Sequence, residues 1–579
     1  MTAYPPFRIS TRISAVAHLL GGLGTLTLCG AADAQNAPGA MTWQYGYDAE
    51  GNSSLEVDPE GGQTTRSRDR LDRPTQVVRP APTGSGSPTA VSLAYDAQGN
   101  LVLVTDPRGL PTRYDIDGLQ NVTVQLSPDT GTSLAGYDDA GNVVRRTDSR
   151  GQTTTYTYDA LDRLVRASYS SGAPTVFEYD GGAQPAAHSI GHLTRVVDES
   201  GSTAYAHDAL GHVVAKTQTV ADKTLTVAYA WGDAAAAGAT GSLTAVTYPS
   251  GARADYLYDA TGRVAAITVR TADGATVQVL GQLTYNAAQQ PQGWIWADGS
   301  AYQRTFDAFG RLAGYPLGNP AGVGPAAGLW RTLGYDNAGR ITRLTHTGGG
   351  QAQPERDQSF DYDALGQLQA ARQPSASHGY GYDASGNRVA QTIGATTYMN
   401  TLDPASNRIL KSETPHGGSF GYDPAGNTLS DGQAQYAYSS RGRLASATLA
   451  GGTVSYLYNG LEQRTSKTGP ASLVPTAAAY YLYDESGHLL GEYDASLQAA
   501  YETVYLGHTP VAVIKQGVVY NVYADHLDTP RVITRASDQA IVWRWDLAEA
   551  FGASPADQDP NGFGPFVFNQ RFPGQVFDS

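Results

Sequence analysis

Acidic side chains recur at regular positions along the chain and offer the first candidate for chemistry. Five aspartates each follow a tyrosine directly and lie three residues before a glycine: Asp48, Asp96, Asp138, Asp383 and Asp423. Acidic turns bind hard cations, but each of these loops supplies only one or two carboxylates, whereas Ca²⁺ takes six to eight oxygens. Turn formation explains these aspartates better, and the sequence predicts no metal ligands, no cofactor and no cofactor-binding residues.

One histidine lies between two carboxylates, in Asp525-His526-Leu527-Asp528. A metal site or an acid–base pair is conceivable there, but a turn before Thr529-Pro530 is the simpler interpretation. Paired carboxylates for glycoside hydrolysis have no convincing candidate outside the repeated aspartates. No Gly-x-Ser-x-Gly sequence provides a nucleophile in a strand–turn–helix context. The sequence therefore predicts no catalytic residues and a protein that is not an enzyme.

Two tryptophans, Trp543 and Trp545, lie on the same side of a predicted strand, where alternate residues share a face. They suit either packing in a core or stacking on sugars, and packing is favoured. Tyrosines predicted to be exposed leave carbohydrate or cell-surface binding open as an alternative function.

Composition excludes several classes of protein. The 579 residues include 39 Lys+Arg and 54 Asp+Glu, a formal net charge of −15 without a basic block, so nucleic acid is not an expected partner. Gly 67 and Pro 31 indicate many turns, and Tyr 36 against Phe 12 suits strands with one wet face. A single cysteine excludes a disulfide scaffold.

The first 34 residues are typical of a secretory signal peptide. Arg8 and Arg12 precede an apolar stretch from Ile13 to Leu28, and Ala32-Asp33-Ala34 supplies small residues for cleavage after Ala34. The expected location is therefore secreted or at the cell surface. No later segment reaches the ~18 apolar residues of a membrane-spanning helix.

A tandem unit fills most of the remaining chain. Its clearest copies share a tyrosine, an aspartate and a glycine; they contain Tyr47, Asp48 and Gly51; Tyr95, Asp96 and Gly99; Tyr137, Asp138 and Gly141; Tyr382, Asp383 and Gly386; and Tyr422, Asp423 and Gly426. Asp at the first turn position accepts backbone N–H bonds, and Gly at the fourth takes a positive φ. We call this five-residue sequence, which starts at the aspartate, a YD turn.

A second turn signal follows the first at a fixed interval. The glycines of Asp58-Pro59-Glu60-Gly61, Asp106-Pro107-Arg108-Gly109 and Asp148-Ser149-Arg150-Gly151 each lie ten residues after a motif glycine. Turns every 8–12 residues with β-branched and aromatic residues between them are an all-β pattern. The sequence thus predicts tandem β-hairpins. The tyrosine of each motif is expected to bury its ring against the next unit.

The repeats resemble the YD repeats of RHS proteins, of wall-associated bacterial proteins and of the teneurin shell. The C-terminal part is similar to the RHS-associated core, whose motifs occur here in the family's order. They comprise Tyr523 to Arg531 with His526 and Pro530, then Trp543 and Trp545, then Arg571, Phe572, Pro573, Gly574 and Gln575.

This resemblance implies an all-β fold in which a spiralling sheet curls into a hollow shell. The expected organisation is a signal peptide at 1–34, a repeat array at 35–515 and an incomplete core-like segment at 516–579. The expected function is a noncatalytic secreted scaffold that encapsulates or presents a C-terminal toxin or other passenger. The chain stops just after the Arg571–Gln575 motif, so the passenger is expected to be missing or separately encoded.

The length sets a rough size for such a shell. About 30 strands at ~4.8 Å, closed in a single turn, would give a diameter of ~45 Å with ~25 Å free inside. This space would suit a small or unfolded polypeptide rather than a large folded enzyme.

Overall fold

The protein is an almost entirely β structure in a computed structural model that describes residues 41–82, 88–182, 186–233, 238–546 and 549–578. The predicted signal peptide, its expected cleavage site after Ala34 and the only cysteine of the sequence, Cys29, lie outside the described residues. Within the described residues no helix is long and apolar enough to cross a membrane.

Strand formation follows the two alternating turn signals, and consecutive strands pair antiparallel. The first sheet contains β1 Gln44–Tyr47, β2 Ser53–Val57, β3 Gln63–Arg68, β4 Pro74–Arg79, β5 Thr89–Tyr95, β6 Leu101–Thr105, β7 Pro111–Ile116, β8 Val122–Ser127, β9 Gly131–Tyr137, β10 Val143–Thr147, β11 Thr153–Tyr158, β12 Leu164–Tyr169, β13 Thr175–Tyr179, β14 Leu193–Asp198, β15 Gly201–His207, β16 Val213–Val220, β17 Lys223–Trp231, β18 Leu243–Thr247, β19 Arg253–Tyr258, β20 Val264–Arg270, β21 Thr276–Tyr285, β22 Pro291–Ile295 and β23 Ala301–Gln303.

The second sheet contains β24 Thr305–Phe306, β25 Leu312–Leu317, β26 Leu329–Tyr335, β27 Ile341–Gly348, β28 Gln351–Ala352, β29 Gln358–Tyr362, β30 Leu368–Gln373, β31 Ala376–Tyr382, β32 Arg388–Ile393, β33 Thr396–Leu402 and β34 Ile409–Ser412. Two short 3-10 helices, Gly324–Ala326 and Pro354–Arg356, lie in its connections.

The third sheet contains β35 Gly421–Tyr422, β36 Thr428–Ser430, β37 Gln435–Tyr438, β38 Leu444–Leu449, β39 Gly452–Tyr458, β40 Arg464–Thr468, β41 Ala478–Tyr483, β42 Leu489–Asp494, β43 Ala499–Leu506, β44 Thr509–Lys515, β45 Val518–Ala524, β46 Pro530–Arg535 and β47 Ile541–Arg544. The strand ladder continues from β44 to β45 across residue 515.

The three sheets follow one another as a ribbon that coils back on itself. One edge of the ribbon, the YD rim, is formed by the YD turns, and the other, the opposite rim, by the second set of turns. Side chains of the opposite rim meet YD turns almost 300 residues later: Arg108 bonds to Ser406 across 298 residues, and Arg150 to Ser439 across 289. We call the part before about residue 320 the first coil, the rest the second coil, and their contact the seam.

The coil narrows along the chain. The separation across the seam falls to 267 residues at Lys216–Tyr483. Within the second coil, Arg331 bonds the Asp546 carbonyl across only 215 residues. The wider coil consists of strands β7 to β33. These are about 25 strands when the side strand β28 is left out and β23 and β24 are counted as one interrupted strand. At ~4.8 Å per strand, a closed coil of this circumference is ~38 Å across. The described part of the ribbon has 47 strands in about two coils, whereas the sequence estimate assumed about 30 in one.

Strand register defines a continuous inner face of the ribbon. It carries the residue that lies two positions before the end of each strand leading into a YD turn, which is a tyrosine at Tyr156, Tyr205 and Tyr481. In β41–β45 the opposite face, with Leu482, Val504 and Ala512, packs in one core against Val227 and Ile267 of the first coil's inner face. The end of the second coil therefore nests inside the first.

Layering changes along the ribbon. In β6 every residue is half-buried, because no second layer covers either face. Strands β41–β46 are buried on both faces, between the first coil and the C-terminal segment 549–578, whose Phe566 and Phe568 pack on Tyr501 and Trp543. The wall is thus a single sheet over the early part of the first coil, two layers where the second coil nests inside the first, and a packed closure at the C-terminal end. The fold is the spiralling all-β shell that the sequence predicted.

Candidate functional site

The YD turn positions its side chains through its own backbone. Asp96 Oδ1 accepts the N–H groups of Gln98 at 3.0 Å and Asn100 at 2.8 Å, and the Asn100 side chain donates to Oδ2 at 2.9 Å. These bonds lower the pKa of Asp96, the side-chain bond from Asn100 most of all. Gly99 has φ +93, a conformation that residues with a Cβ rarely adopt.

The other highlighted turns share this arrangement. Each motif aspartate accepts the backbone N–H of the residue four positions later, and each motif glycine has a positive φ; they are Asp48 and Gly51, Asp138 and Gly141, Asp383 and Gly386, and Asp423 and Gly426. In these turns the carboxylate accepts hydrogen bonds from groups of the same turn. Among the described residues no group of three His, Cys, Asp or Glu side chains is placed to hold a metal ion.

The fifth turn position has a role that sequence reasoning missed. Where it is arginine, the guanidinium bonds its own aspartate and stacks on the ring of the next unit. Arg163 Nε donates to Asp159 at 2.7 Å, and its guanidinium carbon lies 4.4 Å from the centre of the Tyr179 ring. Arg340 does the same with Asp336 and Tyr362. The recurrence of Asn or Arg at this position was the available signal.

The motif tyrosine ties each unit to the preceding one, whereas the sequence predicted packing against the next. The Tyr95 hydroxyl donates to the carbonyl of Pro74 at 2.9 Å. The same bond joins Tyr137 to Val122, Tyr382 to Leu368 and Tyr422 to Ile409. In each case the acceptor is the first residue of a strand in the preceding hairpin, because the tyrosine lies at the end of the next strand along the ribbon. Tyr47 belongs to β1, before which no strand is described.

The core motif residues form the packed closure. Trp543 and Trp545 are buried, and the Arg571 guanidinium lies over both rings, 5.4 and 5.3 Å from their centres. Arg571 N–H donates to the Gln575 carbonyl, and Gln575 N–H to that of Phe572, so Pro573 and Gly574 occupy a turn. Buried rings present no surface to a sugar.

The Asp525–Asp528 segment is a YD turn rather than an acid–base pair. Asp525 Oδ1 accepts the N–H groups of Leu527 and Thr529, and its Oδ2 bonds Arg531 Nε at 2.7 Å. Burial would raise the pKa of Asp525, but the Arg531 charge and bonds hold it below its usual value. His526 is exposed at the turn, and Pro530 begins the buried strand β46.

Arginines of the opposite rim hold the seam. Arg108 donates to the carbonyls of Asp403 at 2.9 Å and Ser406, and Arg150 to those of Ser439 at 3.0 Å and Ser440 at 3.2 Å. Each arginine thus caps the carbonyls of a YD turn one coil later. Sequence reasoning placed both arginines in turns but not at a contact between coils.

Further along, the seam becomes buried and carries charge. Lys216 Nζ donates to the Tyr483 carbonyl at 3.0 Å and lies 3.3 Å from Glu485. Glu502 is fully buried and accepts the Ser250 N–H at 3.1 Å and the Tyr493 hydroxyl at 2.9 Å. Burial raises the pKa of Glu502. These contacts fix the second coil inside the first.

Comparison with known proteins identifies this architecture. Residues 327–565 match the teneurin YD-shell family model, and residues 137–174 match the RHS repeat. The resemblance drawn from the residues is therefore confirmed. No curated protein matches the chain.

Solved structures share the fold over most of the chain. The crystal structures of TcdB2-TccC3-TEV and of TcdB2-TccC3 without its hypervariable C-terminal region each match with a TM-score of 0.69 and 16% identity. The Photorhabdus luminescens Tc holotoxin pore with the TccC3-D651A mutation matches with 0.69 and 15%. Each match covers 87% of this chain and 30% of the other, so this chain spans less than a third of their length.

Proposed function

We propose that this chain, which carries the fold of an RHS/YD-repeat shell, is a noncatalytic scaffold that encloses a polypeptide passenger. One observation carries the proposal: the early, single-layered strands of the first coil, such as β6, leave their inner face without a covering layer, while the C-terminal segment lies on the inner face of the second coil. A polypeptide joined after this segment would begin inside the shell.

The C-terminal end of the described chain supports this path. Asp578 lies 2.6 Å from Arg464 and 3.4 Å from Lys467, and Arg464 stacks on Tyr481 of the inner face. These contacts hold the end of the segment against the inner wall. One of the solved neighbours is described by its lack of a hypervariable C-terminal region, which is consistent with variable sequence at this place.

Two parts of the proposal rest on the sequence. The leader at 1–34 supports export and a site of action outside the cytoplasm. The absence of a catalytic constellation in the sequence supports a structural role, with a toxin or similar polypeptide supplying any activity. The division into an array at 35–515 and a core-like segment at 516–579 is part of the same proposal.

Protection of a fused reporter tests enclosure. A short unstructured polypeptide that contains trypsin sites is joined as a reporter after Ser579. The matched control joins the same reporter before Met41. We expect trypsin to cleave the C-terminal reporter at least tenfold more slowly than the N-terminal one. Equal cleavage rates in the two fusions would refute enclosure.

The alternative function, adhesion through carbohydrate, gains no specific support. The two tryptophans that suited sugar stacking, Trp543 and Trp545, are buried in the closure. A glycan-binding role would need a different surface.

A further inference from the structure

The YD rim of the first coil carries a row of exposed apolar side chains. At the tips of its turns, six side chains are 65–75% exposed: Leu71, Leu119, Leu161, Ile190, Leu210 and Phe309. Single exposed apolar residues are ordinary, but a row along one edge marks an interaction surface. Adjacent YD turns are two strands apart, so their tips recur about every 10 Å along the rim.

Two equivalent positions in the second coil are partly covered, although a third, Leu527, is exposed. Leu365 and Leu461 occupy the same turn position and are only partly exposed. Next to Leu461, the Gly460 N–H donates to Asp198 of the first coil at 2.6 Å, and a side chain at Gly460 would touch Thr175 and Val196. In the second coil, the YD rim is therefore one side of the interface between the two coils.

The contacts at the seam show which side chains bind to a YD rim. Arg108 and Arg150 place guanidinium groups on the carbonyls of YD turns, and Arg108 also lies 3.5 Å from Asp383. Arginine suits this task because its planar fork offers several donors at once. The first coil's rim offers the same turns to an incoming arginine.

The net negative charge of the uncovered rim indicates which kind of partner can bind there. Ten of its turns, at 48–52, 69–73, 96–100, 117–121, 138–142, 159–163, 208–212, 259–263, 286–290 and 307–311, hold 13 acidic residues and 5 arginines, a net charge of −8. Four of those arginines already bond the aspartate of their own turn: Arg73, Arg163, Arg263 and Arg311. A second copy that met this rim with its own YD rim would be repelled, and so would an anionic membrane or nucleic acid.

We propose that the uncovered YD rim of the first coil is a docking surface for a second protein that presents arginine and apolar side chains. It forms an interface of the seam type at the mouth of the shell. The inference goes beyond enclosure of a passenger and does not depend on it.

A short peptide that carries both features is the first probe. An octapeptide of alternating Arg and Leu is added to the full chain, and amide hydrogen exchange locates its footprint. We expect slowed exchange in turns 69–73, 117–121 and 159–163, with tighter binding than an octapeptide of alternating Arg and Ser. A footprint elsewhere would overturn the proposal.

Matched variants separate a rim site from general attraction to an acidic protein. The rim variant combines Glu50→Gln, Asp72→Asn, Asp139→Asn and Asp162→Asn, which spare the first aspartate of each turn. The control combines Asp222→Asn, Asp273→Asn, Glu355→Gln and Glu413→Gln, four exposed acids away from this rim. We expect the Kd of the Arg-Leu peptide to rise about tenfold in the first and less than about twofold in the second. Equal weakening in both would refute a rim site.

The apolar tips have their own test. Leu119→Ser with Leu161→Ser removes two exposed side chains without touching a core. We expect it to weaken the Arg-Leu peptide by about fivefold and to leave the Arg-Ser peptide unchanged. Unchanged binding of both peptides would remove the apolar tips from the docking surface and contradict the proposal as stated.

Discussion

At the scale of single residues, the motif tyrosine supplies a hydrogen bond between successive units. Tyr382→Phe removes the bond to the Leu368 carbonyl and leaves the ring. Loss of such a bond costs about 1 kcal/mol, so we expect hydrogen exchange in β30 and β31 to accelerate about fivefold. Tyr47→Phe is the matched control, because the described chain has no hairpin before it. Equal acceleration around both substitutions would mean that the preceding carbonyl is not the source of the effect.

Glu502 gives the seam a dependence on pH. Burial raises its pKa in the folded protein, so between its ordinary pKa of about 4.5 and the raised value the folded state binds more protons than the unfolded state. Stability therefore falls as pH rises through this window, and Glu502→Gln abolishes this contribution. We expect the Tm of the wild type relative to Glu502→Gln to decline from pH 4.5 upwards. Burial also raises the pKa of Glu199 and Glu485, and the difference between the two proteins cancels their effects. Parallel Tm curves would contradict the assignment.

The residue pattern predicted the turn but only part of its bonding. Asp and Gly three positions apart determine the turn locally, so Asp96 and Gly99 were recognisable from sequence. The stacking of Arg163 on Tyr179 joins residues 16 apart, and it depends on which strands end side by side. That register follows from hairpin length and bulges, which the local motif does not encode.

At the scale of elements, the seam depends on side chains of opposite-rim turns. Arg108 and Arg150 are mostly buried and bond backbone carbonyls of the second coil. Bonds from a charged group are worth about 1.5–3 kcal/mol each. We expect Arg108→Gln with Arg150→Gln to accelerate hydrogen exchange at least tenfold in residues 403–408 and 439–443, with little change in β43, where buried apolar contacts hold the coils.

A substitution on the outer face controls for loss of charge. Arg145 lies exposed in β10, in the same sheet as the two seam arginines. Arg145→Gln should leave exchange in residues 403–408 and 439–443 unchanged. Faster exchange throughout the ribbon in the double variant would indicate general destabilisation instead of an opened seam.

Hairpins were predictable from the sequence, and the seam was not. The 47-residue interval between Tyr158 and Tyr205 in the sequence leaves room for two units, and the structure has the intervening hairpin of β13 and β14 there. The position of Arg108 against Ser406 depends on how many strands complete a coil. This number follows from the accumulated twist and curvature of the sheet, a property of about 25 strands together.

At the scale of the whole molecule, the shell gives adjacent residues of one strand different surroundings. Val102 and Leu103 of β6 are both half-buried, but Val102 lies on the inner face and Leu103 on the outer. Single cysteines at these two positions, in a Cys29→Ser background, form a matched pair. We expect a small biotin maleimide to label both at similar rates, because the wall is one sheet thick and the mouth is open. Streptavidin is too large for an interior of about 18 Å, the coil diameter less ~10 Å of side chains on each side, so it should capture the biotin on Leu103→Cys and miss the one on Val102→Cys. Capture of both would show that the two faces are equally accessible and that the ribbon does not enclose a space.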